Sequence, residues 1–236
     1  MGGLTKLATL TVALVAVAST ASAVTVRNGS FEEGFDRFST FGAASIETSS
    51  YGAAPTDGTN QALLRSSNGV TDTAIETALG AAAGSLDAFS ALSAGGGNAT
   101  NGSVLTRTWK ARVGDTLTFD FNFLTSESTP TSFNDGAFFF ADGQYFSLGD
   151  TTSAGFTTSS TPFNEELGYA SFSYTFTTYG TQTFGFGVFN EGDTSVSSGL
   201  LVDNVSVSPV PVPAALPLLL TAFGGLMVMG RRRRAA

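Results

Sequence analysis

The chain has no cysteine and no histidine in 236 residues. Without cysteine there is no disulfide to hold a domain and no thiol to act as nucleophile. Without histidine there is no Ser-His-Asp relay, none of the usual zinc sites and none of the commonest general base. Any metal site must be built from oxygen alone, which favours a hard cation such as Ca²⁺. Tryptophan occurs once, and 11 lysines and arginines stand against 19 acids. The chemistry left open is that of carboxylates, amides, hydroxyls and aromatic rings.

What is present is most distinctive at the two ends. Lys6 is followed by an apolar stretch, Leu7 to Ala18, broken only by threonines, and then by Ala21-Ser22-Ala23. A positive start, a short apolar core and a small-residue site predict a secretory signal peptide over 1–23, cleaved after Ala23. Its core is too short to span a membrane comfortably. At the other end, from Ala214 to Gly230, nothing is charged and only Thr221 is polar. As a helix the run from Val210 would be roughly 30 Å long, about the thickness of a bilayer core. Arg231, Arg232, Arg233 and Arg234 follow at once and would hold that end on the cytoplasmic side. The expected organisation is therefore a signal peptide (1–23), an exported domain (24–209), and a tail (210–236) with a transmembrane helix at about 211–230.

The tail carries a resemblance. Val210-Pro211-Val212-Pro213-Ala214, the apolar run and the arginine cluster, in that order, resemble the PEP-CTERM sorting signal in its Val-Pro-Leu-Pro-Ala variant. Val212 departs from both patterns, the namesake having Glu there and the variant Leu, which leaves open which sortase subtype would process it. The resemblance implies an exosortase-type enzyme in the inner membrane as partner. The chain would be anchored there with its C-terminus cytoplasmic, then cleaved near the motif and released to the cell surface or extracellular matrix.

All 19 acids lie in 24–209, against six basic residues, a net charge of −13. Such a surface repels phosphate backbones and argues against nucleic-acid binding. This part reads as strands. Leu117 to Phe123, Phe172 to Phe176 and Phe184 to Val188 alternate at period two, the mark of a half-buried strand, with Phe119, Phe121 and Phe123 facing inward. Gly185 and Gly187 leave the other face bare, marking a bulge or a close backbone approach. Asp142-Gly143 predicts a hairpin turn between Phe138-Phe139-Phe140 and Tyr145-Phe146. A last strand covers 200–207, and others are expected near 25–31, 37–48, 60–66 and 103–112. Two short helical turns interrupt the pattern, one over 73–80 closed by Gly80 and one over 85–89 capped by Ser85. The expected fold is all-β, a jelly-roll-like β-sandwich ectodomain between the signal peptide and the transmembrane helix.

Two further resemblances concern the domain. The opening Val26 to Phe35 and the closing Leu201-Val202-Asp203-Asn204-Val205 are similar to the first and last strands of galactose-binding-like domains, including carbohydrate-binding modules. That likeness implies that the two strands pair and that Glu32 and Asp203, with Asn28 nearby, are candidate ligands of a structural calcium ion. From the residues alone, Asn28-Gly29 reads equally as a turn and Glu32 as a solvated or paired side chain, since calcium needs six or more oxygens. Pieces between Ala74 and Val205 resemble the exported sandwich domains that precede this sorting signal, which implies fold and export but no activity. Glu127 and Asp135, at a strand end and in the next loop, stand as a second cation site or as ordinary loop acids.

Neither a required cofactor nor a catalytic set is expected. Three classes of function follow: a non-catalytic exported surface or matrix protein, a carbohydrate-binding module for extracellular polysaccharide, or a glycan-active enzyme. The last needs two carboxylates about 5–10 Å apart across a cleft, which no spacing here marks.

Overall fold

The computed structural model describes residues 24–92, 97–131 and 133–210. The signal peptide with Ala21 and Ala23, most of the glycine-rich 94–98 loop, the motif from Pro211 to Ala214, the apolar run and Arg231–Arg234 lie outside the described residues. Among the described residues no helix is long and apolar enough to cross a membrane.

Two antiparallel sheets face one another. The strands in chain order are β1 (Val24–Thr25), β2 (Ser39–Phe41), β3 (Ala43–Glu47), β4 (Gln61–Arg65), β5 (Val70–Thr71), β6 (Ala99–Ala111), β7 (Thr116–Thr125), β8 (Gly136–Ala141), β9 (Gln144–Asp150), β10 (Thr157–Thr158), β11 (Glu165–Glu166), β12 (Ala170–Thr175), β13 (Gly180–Glu191) and β14 (Ser198–Ser208). The first sheet runs β10-β11-β7-β14-β4-β3, with β1 beside β14 and β12 beside β7; the second runs β2-β6-β13-β8-β9, with β5 beside β6. The expected first strand over Val26–Phe35 does not form; the two residues before it, β1, pair with the end of β14, Val24 opposite Val207 and Thr25 opposite Ser206.

Period two in the sequence becomes the core. Leu117, Phe119 and Phe123 of β7, Phe139 of β8 and Phe184, Phe186 and Val188 of β13 meet between the sheets. Phe121 is on the same face but only half-buried, packing against this cluster from its edge. The expected single strand over 37–48 divides at Gly42, whose φ of 86° lets the chain leave the second sheet after β2 and enter the first at β3.

The second sheet is covered on its outer side as well. Helices α1 (Asp72–Leu79) and α2 (Ser85–Ser90) lay Ile75, Leu79 and Leu86 on Val104, Phe138, Phe140 and Phe189. Two covered faces account for the unbroken Phe138-Phe139-Phe140 run. They also account for the bare positions of β13: a Cβ at Gly185 would come within 2.5 Å of Leu79 Cδ2, and one at Gly187 within 2.2 Å of Phe138 Cζ. Of the two readings of these glycines, close approach is the one realised. Gly80 closes α1 in the left-handed region at φ 68°. Ser85 does not cap α2. It is the first helical residue, and the cap comes from α1, where Glu76 Oε2 and Oε1 accept the N–H groups of Gly84 at 3.0 Å and Leu86 at 2.8 Å.

The expected strand over 25–31 stops at Thr25. Asn28 and Phe31 both have positive φ, 59° and 56°, and the chain turns repeatedly from Thr25 to Arg37. The Asn28 side chain organises these turns, its amide donating to Gly34 O and Asp36 O, each at 2.9 Å, and its Oδ1 accepting Glu33 N–H at 2.9 Å.

Candidate functional site

The three residues implied as calcium ligands are distributed between two tasks. Asn28 serves its own turn, as above. Glu32 and Asp203 converge on one loop, Thr56 to Asn60. Asp203 Oδ2 accepts the backbone N–H groups of Thr56 at 2.7 Å and Asp57 at 2.9 Å, and its Oδ1 accepts Asn204 N–H at 2.7 Å. Glu32 Oε1 accepts Thr59 N–H at 2.6 Å and Asn60 N–H at 2.8 Å, and Oε2 accepts the Thr59 hydroxyl at 2.7 Å. A calcium ion needs oxygens converging on a point. Here hydrogens converge on the oxygens, so the arrangement fits a clasp closed by the loop's own amides and does not fit an ion. The hydrogen bonds from Thr59 hold the Glu32 carboxyl below its usual range, whereas burial pushes Asp203 up against the pull of its donors.

Glu127 and Asp135 are both buried at one end of the sandwich. Asp135 accepts Glu191 N–H at 3.1 Å and the Ser198 hydroxyl at 2.7 Å. Burial pushes its carboxyl up to about 7, reinforced by the nearby charges of Glu127 and Asp193. Burial and Asp193 raise Glu127 too. Among the described residues no cluster of three or more acids is placed to hold a metal ion.

A different set of side chains forms a hollow. Between α2 and the paired strands β8 and β9 lies a cavity of about 170 Å³. That is the order of size that admits one six-membered ring. Phe89 and Phe189 supply its apolar wall, Leu92 its rim, and Asn134, Ser147 and Asp150 its polar groups. The sequence builds it from separate pieces. Phe89 projects from α2 and meets the Phe189 ring edge-on, centroids 6.3 Å apart. Gly136 leaves room for Phe189, since a Cβ there would approach the ring to 2.8 Å. The β8–β9 pairing shifts register between Ala137 and Phe138, a bulge of the kind that re-aims neighbouring side chains.

The polar groups are incompletely used. Asn134 Oδ1 accepts the Thr151 hydroxyl at 3.2 Å, but its buried carboxamide nitrogen has no partner. Asp150 Oδ1 accepts Thr152 N–H at 2.8 Å and the Thr152 hydroxyl at 2.7 Å, and Oδ2 accepts nothing among the described residues. A buried amide donor left open costs about 1–3 kcal/mol, so it is the natural place for a ligand acceptor. None of these residues is marked by spacing or motif. The nearest signal is Asp135, which the sequence singles out and which adjoins Asn134.

No protein-family model matches the chain, and no curated protein matches it. Solved structures that align with the chain include TmCBM61 in complex with beta-1,4-galactotriose, 13% identical over 78% of this chain and 96% of that one, TM-score 0.39. TmCBM27, a carbohydrate-binding module described for specific mannan recognition, is 12% identical over 79% and 95%, TM-score 0.36. The enzymatically active domain of bacteriophage CBA120 tailspike protein 4 is 12% identical over 78% of this chain but 21% of its own, TM-score 0.35. All three scores are low, and the functional reading rests on this chain's own side chains.

Proposed function

We propose that the chain is an exported, non-catalytic surface protein whose sandwich domain binds a neutral saccharide in the cavity between α2 and the β8–β9 pair. The observation that carries this is two polar groups without a partner beside an aromatic wall: the Asn134 amide, buried just behind the cavity lining, as donor, and Asp150 Oδ2 as acceptor, next to Phe89 and Phe189. Small-ligand sites combine an apolar wall with a few placed polar groups. A sugar offers both halves, hydroxyls that accept from the amide and donate to the carboxylate, and a C–H face that lies on a ring. The net charge of −13 over 24–209 and Asp150 in the wall disfavour an anionic ligand such as a uronate.

Export is supported by the two ends of the sequence, with removal of 1–23 and processing near Val210–Ala214 by an exosortase-type enzyme of the inner membrane. The destination would be the cell surface or matrix, where extracellular polysaccharide is the partner. Glu127 and Asp135 do not line the cavity, and nothing favours hydrolysis of what binds there.

The test is a glycan array probed with the full-length protein in detergent. Neutral oligosaccharides should bind, and Asn134→Ala should weaken them roughly tenfold or more, the equivalent of about 1.4 kcal/mol. Binding unchanged in Asn134→Ala and Asp150→Ala, or no neutral glycan bound at all, would overturn the assignment. Intact-mass measurement of the protein from its native cells reports both cleavages.

A further inference from the structure

The described domain begins and ends at the same end of the sandwich. Val24 pairs with Val207, and Val210 lies three positions further on. Val210 is held in place: its N–H donates to Asp115 Oδ1 at 3.2 Å, and its side chain sits over Gly114, where a Cβ would come within 2.5 Å of Val210 Cγ2. β6 finishes and β13 starts at this end too, with Ala111 opposite Gly180. Tyr179 and Arg112 are the residues that flank this pair, just before β13 and just after β6. Gly114 N–H donates to Phe176 O at 2.8 Å and closes the same corner.

Three of the exposed large apolar side chains are gathered here, with Asp142 beside them, its carboxylate accepting the Thr177 N–H and the Thr177 and Thr178 hydroxyls. Val113 is 60% exposed, Tyr179 70% and Val210 40%. Lys110 and Arg112, two of the six basic residues in 24–209, are exposed among them. Asp115, the acid of this turn, is buried, and its carboxylate is occupied by the N–H groups of Arg112 and Val210. Exposed apolar side chains grouped with basic ones mark an interaction surface rather than a merely solvated one. Glu127, Asp135 and Asp193 gather at the opposite end, where β7 finishes and β14 begins.

We infer that this end of the domain is apposed to a lipid surface, with Tyr179, Val113 and Val210 at the level of the headgroups and Lys110 and Arg112 on anionic lipid phosphates. The inference rests on the reading of about 211–230 as a transmembrane helix. Val210 is the residue immediately before that segment, one Cα step of about 3.8 Å away. Tyrosine favours the membrane–water interface, and lysine and arginine near it are drawn to anionic headgroups. The placement also orients the saccharide cavity. Phe189, in its wall, is nine residues along β13 from Gly180, roughly 30 Å from the lipid-facing end. The cavity then lies at the end of the sandwich far from the membrane.

The absence of cysteine makes the test clean. A single label is placed on full-length protein as Tyr179→Cys, or as Ala154→Cys in an exposed loop after β9. The protein is reconstituted in vesicles of equal phosphatidylcholine and phosphatidylglycerol carrying a nitroxide headgroup lipid. The label at 179 should be strongly quenched and the label at 154 not. Adding Lys110→Glu with Arg112→Glu, or omitting phosphatidylglycerol, should reduce the quenching at 179. If the protein floats with the vesicles but both labels are quenched alike, the apposition is wrong and the spanning tail stands. If the protein does not float with the vesicles, the spanning reading fails and this inference with it.

Discussion

Asp135 and Ser198 tie the two sheets together at one end of the sandwich, Asp135 Oδ2 accepting the Ser198 hydroxyl at 2.7 Å. Asp135 immediately precedes β8 in the second sheet, and Ser198 opens β14 in the first. The serine hydroxyl in turn lies 2.9 Å from that of Thr125, where β7 ends. A carboxyl so enclosed, with Glu127 and Asp193 beside it, is pushed up to about 7.

The consequence is a stability that falls as pH rises. Below about pH 4 the acid is protonated both folded and unfolded, and its contribution is whole. Between about 4 and 7 only the folded state keeps the proton, so the contribution is lost as pH climbs through 7, on the order of 4 kcal/mol in all. Asp135→Asn keeps an oxygen for Glu191 N–H and an amide for Ser198 while removing the charge. It should melt higher than wild type at pH 8, with a shallower decline between pH 5 and pH 8; the raised Glu127 leaves a residual slope. Parallel melting curves for the two proteins across that range would refute the role given to Asp135.

The core offers a graded comparison. Phe119 is fully buried, its ring centroid 4.6 Å from that of Phe186 and 5.1 Å from that of Phe139. Phe119→Ala should cost roughly 3–5 kcal/mol, a large share of a typical domain stability of about 5–15 kcal/mol. Phe121, half-buried at the edge of the same cluster, should cost about half as much. Equilibrium unfolding of the two variants in urea measures both, and equal losses would mean that the edge position is misassigned.

How much of this was legible in the sequence depends on how locally each feature is encoded. Alternation at 117–123 and 184–188 shows because a half-buried strand imposes period two on consecutive residues. The Asp142-Gly143 turn shows because its backbone needs two positive φ values, 50° and 76°. Of the turns at 26–37 only Asn28-Gly29 shows in the sequence; the others depend on the Asn28 side chain reaching forward to Glu33, Gly34 and Asp36. The cap of α2 came from Glu76, ten residues before the Leu86 N–H it accepts. The cavity is harder still, since its residues come from α2, β9, β13 and the segment before β8, and none announces the others. Asp203 and its loop partner Thr56 are 147 positions apart. The sequence offers Asn28, Glu32 and Asp203 as ligands of a structural calcium ion; the partner that Glu32 and Asp203 share in the structure is a loop of amides that no local pattern reveals.

Gly187 tests the packing of the outer face. A Cβ there would approach Phe138 Cζ to 2.2 Å, and Phe138 is itself boxed in by Phe89, Tyr145 and Phe189. Gly187→Ala should therefore destabilise by about 1–3 kcal/mol, although the same change in an open strand would be favourable. Thermal melting gives the sign directly, and a stabilised variant would show that the ring moves aside freely.

The clasp at Thr56–Asn60 separates two accounts of the same acids. If Asp203 served an ion, its value would depend on Ca²⁺, with stability rising by about 2.7 kcal/mol at one hundred times the dissociation constant. In the clasp Asp203 is worth the same in chelator as in calcium, because its partners are the N–H groups of Thr56, Asp57 and Asn204. Asp203→Asn replaces one accepting oxygen by a donor and turns it against an N–H group, a loss of about 1–3 kcal/mol. Asp57→Asn alters a side chain of the gripped loop but leaves the Asp57 N–H in place, and it should melt with wild type. Full-length protein is melted in chelator and in millimolar Ca²⁺ for all three. The expected result is one offset for Asp203→Asn, the same in both conditions. A wild-type midpoint that rises with calcium while that of Asp203→Asn does not would restore the ion and displace the clasp.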